Sequence, residues 1–121
     1  MTATESYSPV SIEQSIRECA RRIADGVRVC GNAYADYLAA DHDYDRAFAR
    51  SYIEAGGPAH ERKYIAELAT DEERTARDVA DAAYRYADRT ARAVEAELRA
   101  WQSVGASVRQ AYGVAGRGEG A

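Results

Sequence analysis

The sequence has few of the large side chains that fill most protein cores. Its 121 residues include one Phe, one Trp and one Met, but 26 Ala. Alanine favours helices and buries little apolar area. The composition therefore predicts helices around a thin core, in which scattered Ile, Leu and Val and the nine Tyr contribute most of the buried area.

The chain also lacks a long apolar run and a basic, apolar leader. The sequence contains no stretch of about 18 apolar residues, the length that a membrane-spanning helix needs. Met1 to Ser8 do not resemble a signal peptide. Its 20 acidic residues outnumber its 16 basic ones, giving a net charge of −4, which is not the charge of a typical nucleic-acid-binding domain. These features predict a single-domain cytoplasmic protein.

Helix-breaking residues are few and grouped. Ser8 and Pro9 are typical of a helix N-cap followed by its first residue, and Ser11 with Gln14 could form an overlapping capping box. The run at 56–58 (Gly-Gly-Pro) is the strongest break in the chain. Thr70, which three acidic residues follow, could restart the second helix, but we favour a continuous helix because the apolar stripe passes this point in phase. The predicted segments are a disordered N-terminus at 1–8, a helix at 9–55, a turn at 56–58, a helix at 59–112 and a flexible Gly-rich tail at 113–121.

Each predicted helix carries one apolar stripe whose members recur at spacings of three, four and seven residues. Two such helices joined by a tight turn should fold back on each other. The predicted fold is therefore all-α, a long, coiled-coil-like antiparallel two-helix hairpin, with Phe48 opposite Ile65 and Ile12 near Trp101. The residues predicted to form the core or oligomer seam are Ile16, Ile23, Cys30, Tyr37, Phe48, Ile65, Leu68, Val79, Val94, Leu98 and Trp101.

A lone hairpin buries a single seam, which rarely offsets the ordering entropy of a chain of this length. We therefore expect a homo-oligomer, such as a helical bundle. A second hairpin could pack against a strip of small residues, although these residues could also be helix filler without a partner. The strip comprises Val29, Ala33, Ala40 and Ala47.

Three acidic residues, Asp41, Glu72 and Glu97, interrupt the stripes. Such polar positions often fix register and oligomeric state, although simple exposure is the alternative. The predicted pairing sets Asp41 close to Glu72, so that either water or an arginine of another chain is expected there. Glu97 is predicted near Gln14 or Arg17.

No catalytic, cofactor or metal site is predicted. His42 lies in an Asp-rich segment, but its acidic neighbours are adjacent in sequence rather than three or four residues apart on one helix face. His60 has no partner nearby, and Cys19 and Cys30 lie on the apolar stripe, where we interpret them as core residues. The chain is accordingly predicted not to be an enzyme and to need no cofactor.

Arginines on the second helix are the candidate nucleic-acid contacts. Acidic residues share the same side at i,i+4 spacing, so we interpret most of this surface as a solvated helix face. The more basic part, where contact with nucleic acid is possible but not favoured, contains Arg85, Arg89, Arg92 and Arg99.

Two segments carry a resemblance to known proteins: residues 61–70 (ERKYIAELAT) with Glu73 and Arg74, and residues 98–104 (LRAWQSV). They resemble a family of small, alanine-rich helical proteins of tailed phages of actinobacteria, and the resemblance covers roughly residues 30 to 112. The family has no established activity to carry over. The resemblance implies a phage product in the cytoplasm of the bacterial host, an accessory to phage DNA replication or recombination.

The favoured hypothesis is a non-enzymatic, homo-oligomeric helical interaction protein that serves as a phage accessory factor. The first alternative is a nucleic-acid-binding accessory of phage recombination or replication. The second is a structural or assembly component of the virion. The sequence does not name a protein partner.

Overall fold

The computed structural model describes the backbone of residues 7–119 and the side chains of residues 7–114. That part of the chain contains three helices and no strand: α1 (Pro9–Ala55), α2 (Ala59–Ala69) and α3 (Asp71–Glu119). α1 and α3 pack against each other, which confirms the predicted all-α helical hairpin. None of the described helices has a stretch that is long and apolar enough to cross a membrane.

Ser8 caps the start of α1. Its hydroxyl accepts a hydrogen bond from the Ser11 N–H at 3.1 Å, and the Ser11 hydroxyl accepts one from the Ser8 N–H at 3.1 Å. This reciprocal pair is the capping box, formed by Ser8 and Ser11 rather than by Ser11 and Gln14. Residues 1–6 of the predicted disordered segment lie outside the described residues, whereas Tyr7 packs edge-to-face on Trp101 with 5.5 Å between ring centroids.

The predicted turn at 56–58 is confirmed. Gly56 and Gly57 have φ values of 68° and 83°, the left-handed region that side chains disfavour. Pro58 then precedes α2 in an extended conformation. Arg62 donates a hydrogen bond to the Ile53 carbonyl at 3.3 Å and so satisfies one of the unpaired carbonyls at the end of α1.

The second predicted helix, 59–112, is wrong at two points. It is divided at Thr70, whose backbone leaves helical geometry (φ −113°, ψ 22°) and whose hydroxyl donates to the Ala66 carbonyl at 2.7 Å. Threonine side chains compete in this way for helix carbonyls. The Thr70 N–H still donates to Ala66 and the Arg74 N–H to Thr70, so the hydrogen-bond ladder continues across the irregularity.

α3 also extends beyond the predicted end at Tyr112, because the backbone is helical to Glu119. Extending an existing helix adds a hydrogen bond per residue without a new nucleation cost, which offsets the weak helix propensity of glycine. Most of the predicted tail at 113–121 is therefore helical. Residues 120 and 121 lie outside the described residues.

The chain divides into two compact units. The terminal unit combines the start of α1, up to Val27, with α3 from Thr90 onward, and the turn unit comprises Arg28–Arg89. In the terminal unit, buried and half-buried positions alternate at spacings of three and four, the heptad pattern of a coiled coil. They are Ile12, Ile16, Cys19, Ile23 and Gly26 on α1, and Ala91, Val94, Leu98, Trp101, Gly105 and Val108 on α3.

Glycines set the register of the terminal unit. A Cβ added at Gly105 would lie 3.2 Å from Ile12 Cγ2, and one added at Gly26 would lie 3.7 Å from Ala91 Cβ. These contacts are two heptads apart on both helices, so Ile12 lies opposite Gly105. The predicted pairing of Ile12 with Trp101 is wrong by one helical turn, because the prediction paired residues at equal distances from the Gly56-Gly57 turn, whereas Ile12 contacts Gly105.

An ion pair flanks the same seam. Arg22 Nη1 lies 2.9 Å from Glu97 Oε2, and both side chains are more than 40% exposed. Of the two predicted neighbours of Glu97, Gln14 lines the same depression as Glu97, whereas Arg17 pairs with Glu13. The register set by the two glycine contacts places Cys19 opposite Leu98, midway between them. Relative to this pair, Arg22 lies three residues after Cys19 and Glu97 lies one residue before Leu98.

The turn unit has a core of small and polar residues. Its buried residues are Ala66, Thr70 and Ala87. Half-buried alanines, tyrosines and charged side chains, with Cys30 and Phe48, surround them. The Nε of Arg62 and one carboxylate oxygen of Glu73 are buried without a hydrogen-bond partner among the described residues. Such orphan groups weaken a core, because each buried polar atom has lost its water without gaining a hydrogen bond.

Substitution of glycine by alanine tests the close approach of α1 and α3. Gly31 has no neighbour within 4 Å of an added Cβ, so Gly31→Ala should raise the free energy of unfolding by about 1 kcal/mol through helix propensity. Gly105→Ala gains the same propensity but must displace Ile12, so it should stabilise less or destabilise. Urea denaturation followed by circular dichroism at one protein concentration measures both. Equal stabilisation by the two substitutions would contradict the close contact at Gly105.

Candidate interaction surface

A polar layer interrupts the seam of the turn unit. The Arg77 guanidinium lies 4.4 Å from the Tyr44 ring centroid, and its Nη1 lies 4.0 Å from Asp41 Oδ1. The Arg77 and Asp41 side chains are both about one-third exposed. The charge expected beside Asp41 is therefore supplied by this chain's own Arg77, and the prediction that placed Asp41 beside Glu72 is wrong. Because the seam is in another register, Glu72 is exposed.

Two open depressions lie beside the seam. One of about 490 Å³ in the terminal unit includes Glu18 and Glu97 in its lining, and one of about 410 Å³ in the turn unit includes Asp43. These carboxylates already pair with Arg21, Arg22 and Arg46 respectively. The described residues contain no group of three His, Cys, Asp or Glu side chains placed to hold a metal ion. Glu73 also lines the second depression, and one of its carboxylate oxygens is buried without a hydrogen-bond partner among the described residues.

The predicted seam residues fall into two groups. Val94 is buried, and seven others are half-buried, namely Ile16, Ile23, Cys30, Tyr37, Phe48, Leu98 and Trp101. Ile65, Leu68 and Val79 are 47%, 80% and 63% exposed, so they do not line the seam within this chain. The residues of α2 and α3 that pack toward α1 include the alanines at 66, 80 and 87 instead. Small side chains at these positions allow the helices to lie close together.

The three exposed residues belong to a second stripe, which we name the outer stripe. It alternates at spacings of three and four along α2 and α3, as the seam does, but lies on nearly the opposite side of these helices. Tyr86, which is 74% exposed, continues it, and every member is exposed. The outer stripe consists of Ile65, Leu68, Glu72, Thr75, Val79, Ala82, Tyr86 and Arg89.

The strip of small residues on α1, which was predicted to bind a second hairpin, lies mostly inside the hairpin and not on its surface. Ala33, Ala40 and Ala47 are half-buried at heptad positions of α1 that face the second helix. Only Val29, at 47% exposure, is on the surface. These alanines therefore pack in the seam within the hairpin and are not a free surface for a second hairpin.

The arginines predicted as possible nucleic-acid contacts do not form a single basic surface, because two of the four already interact with other groups of the chain. The four are Arg85, Arg89, Arg92 and Arg99. Arg85 Nε pairs with Asp81 at 3.1 Å, and Arg92 also has an interaction partner. Arg89 and Arg99 are exposed. Arg89 is the one member of the group that lies on the outer stripe.

The two cysteines differ in accessibility. Cys19 is 1% exposed, and Cys30 is half-buried. Burial, together with the nearby Glu97 carboxylate, raises the pKa of the Cys19 thiol. Because the thiolate is the reactive form, Cys19 should be the less reactive of the two.

Partial alkylation of the folded protein at pH 8 tests this difference. We expect Cys30 to be modified faster than Cys19, because the raised pKa lowers the thiolate fraction at Cys19 and burial blocks access. Tryptic peptides quantified by mass spectrometry distinguish the two sites. In denaturing urea the rates should converge, and equal rates in the folded protein would contradict the burial of Cys19.

The polar layer should stabilise the hairpin more than a surface ion pair does. Arg77→Met keeps the aliphatic stem but removes the contacts with Asp41 and Tyr44, so we expect a loss of about 1–2 kcal/mol. Arg46→Met is the matched control: Arg46 pairs with Asp43 at 3.5 Å at the surface, and its loss should cost less than about 0.5 kcal/mol. Urea denaturation at fixed protein concentration compares the two, and equal losses would show that the polar layer has no special role.

Comparison of the sequence with protein-family models gave no match, nor did comparison with curated proteins or with solved structures. Among the described residues, the outer stripe is a surface that the fold within one chain leaves uncovered.

Proposed function

We propose that this protein is a non-enzymatic helical interaction protein that self-associates through the outer stripe. The observation that carries the proposal is the exposure of Leu68, Val79 and Tyr86 along one side of α2 and α3. Exposed apolar side chains aligned on one helix face often mark an interaction site. The heptad spacing of the outer stripe suits a second helix as its partner.

The thin core supports the same proposal. The buried apolar residues among those described are Ile12, Cys19, Ala66, Ala87 and Val94. Two of these are alanines, which contribute little buried area. A hairpin that buries so little gains much of its stability from association, as many small helical proteins do.

The biological setting that we propose is an accessory role in the cytoplasm of a phage-infected bacterium. It rests on the resemblance of residues 61–70 and 98–104 to small helical phage proteins. The surface chemistry supports contact between proteins more than catalysis, because the outer stripe combines apolar side chains with few charged ones.

Sedimentation equilibrium over a range of concentrations tests the proposal, with circular dichroism on the same samples. We expect a strongly helical dimer or larger oligomer that dissociates on dilution. Val79→Lys should shift the equilibrium toward monomer, because it places a charge on the outer stripe. The matched control is Val27→Lys, since Val27 is 72% exposed on α1 and lies off this surface. A helical wild-type monomer at every concentration would overturn the proposal.

A further inference from the structure

The charges on the outer stripe define how a second copy would bind. Glu72 lies one heptad before Val79, and Arg89 lies one heptad after Ala82. No basic residue occurs three or four positions from Glu72, and no acidic residue occurs three or four positions from Arg89. Neither side chain can therefore form the usual ion pair along its own helix.

We propose that two copies pack their outer stripes antiparallel about a two-fold axis that passes between Val79 and Ala82. The inference rests on the proposed self-association and specifies its geometry. Val79 then faces the partner's Ala82, and four residues further out Thr75 faces the partner's Tyr86. One heptad beyond the central Val79–Ala82 contact, Glu72 meets the partner's Arg89. The two-fold axis repeats this ion pair, so that Arg89 meets the partner's Glu72 at the other end of the interface.

Other arrangements of the same two surfaces leave charges unmatched. Parallel packing in register sets Glu72 against Glu72 of the second copy, which is repulsive. Sliding the antiparallel pair by one heptad sets Arg89 against the partner's Ile65 or the partner's Val79, which leaves a charge against apolar surface. Of these heptad registers, the proposed one pairs both charges.

Residues beside the outer stripe fit the same register. Within the terminal unit, Arg22 and Glu97 form the ion pair that flanks the seam. Arg22 lies three residues after the core residue Cys19, and Glu97 lies one residue before Leu98, which faces Cys19. Applied to Thr75 and the partner's Tyr86, these offsets bring Asp78 to the partner's Arg85. The two charges are opposite, so the flank is compatible with this antiparallel pairing. Each also pairs within its own chain, Asp78 with Arg77 and Arg85 with Asp81, so the charges of the stripe itself carry the inference.

The interface alternates large and small side chains. Val79 faces alanine and Tyr86 faces threonine, so the two helices can approach closely without overpacking. Tyrosine is common at the centre of protein interfaces. The partner is thus a second copy of this chain, recognised by apolar complementarity and by two equivalent ion pairs.

Charge reversal tests the geometry. We expect Glu72→Arg and Arg89→Glu each to raise the dimer dissociation constant about tenfold or more, because each creates two like-charge contacts in the homodimer. The double variant, Glu72→Arg with Arg89→Glu, should return to within about threefold of the wild-type constant. An equimolar mixture of the two single variants should also associate, because a heterodimer restores both ion pairs.

Sedimentation equilibrium measures these constants, and circular dichroism confirms that each variant retains wild-type helicity. Asp45→Arg is the matched control, since Asp45 is an exposed acidic residue of α1 in the same unit. Single variants that dimerise as tightly as the wild type would overturn the inference, as would single variants whose loss neither the double variant nor the mixture restores. A monomeric wild type would instead overturn the proposed function itself, so the two failures are distinguishable.

Discussion

The rest of the structure depends on the close contact between α1 and α3 at small residues. Gly26 approaches Ala91, and Gly105 approaches Ile12, so each contact has a glycine on one helix. Where two backbones lie this close, a large side chain fits only opposite a small one. The seam therefore fixes the register of the helices and limits how many large residues the inside of the hairpin can hold.

That limit explains the outer stripe. In α2 and the first half of α3 the seam positions hold mostly alanine and polar residues, and several larger apolar side chains of the same segment lie on another face. Ile65, Val79 and Tyr86 are consequently exposed within one chain. A seam that is thin enough for close helix packing thus leaves apolar surface that a second helix can cover.

Local chemistry was enough to predict the caps, the turn and the hairpin. Ser8 and Pro9 start α1, and the glycines at 56 and 57 end it, because their effects depend on neighbouring backbone alone. The register and the inner face of the second helix could not be predicted in this way. Alanine occurs on every face, so the apolar pattern was centred on Leu68 and Val79 rather than on the buried Ala66 and Ala87. The candidate surface was therefore found by sequence, but its residues were first assigned to the wrong contact.

The seam and the outer stripe, on nearly opposite faces of α3, differ in their side chains. The seam uses glycine, alanine and the Arg77 layer to set register, and it contributes modest buried area. The outer stripe has larger side chains and one charge of each sign, an arrangement that a two-fold axis can satisfy. Because the hairpin alone buries little, the proposed self-association would add stability in the same step as it covers the outer stripe, and folding and association would then be thermodynamically linked.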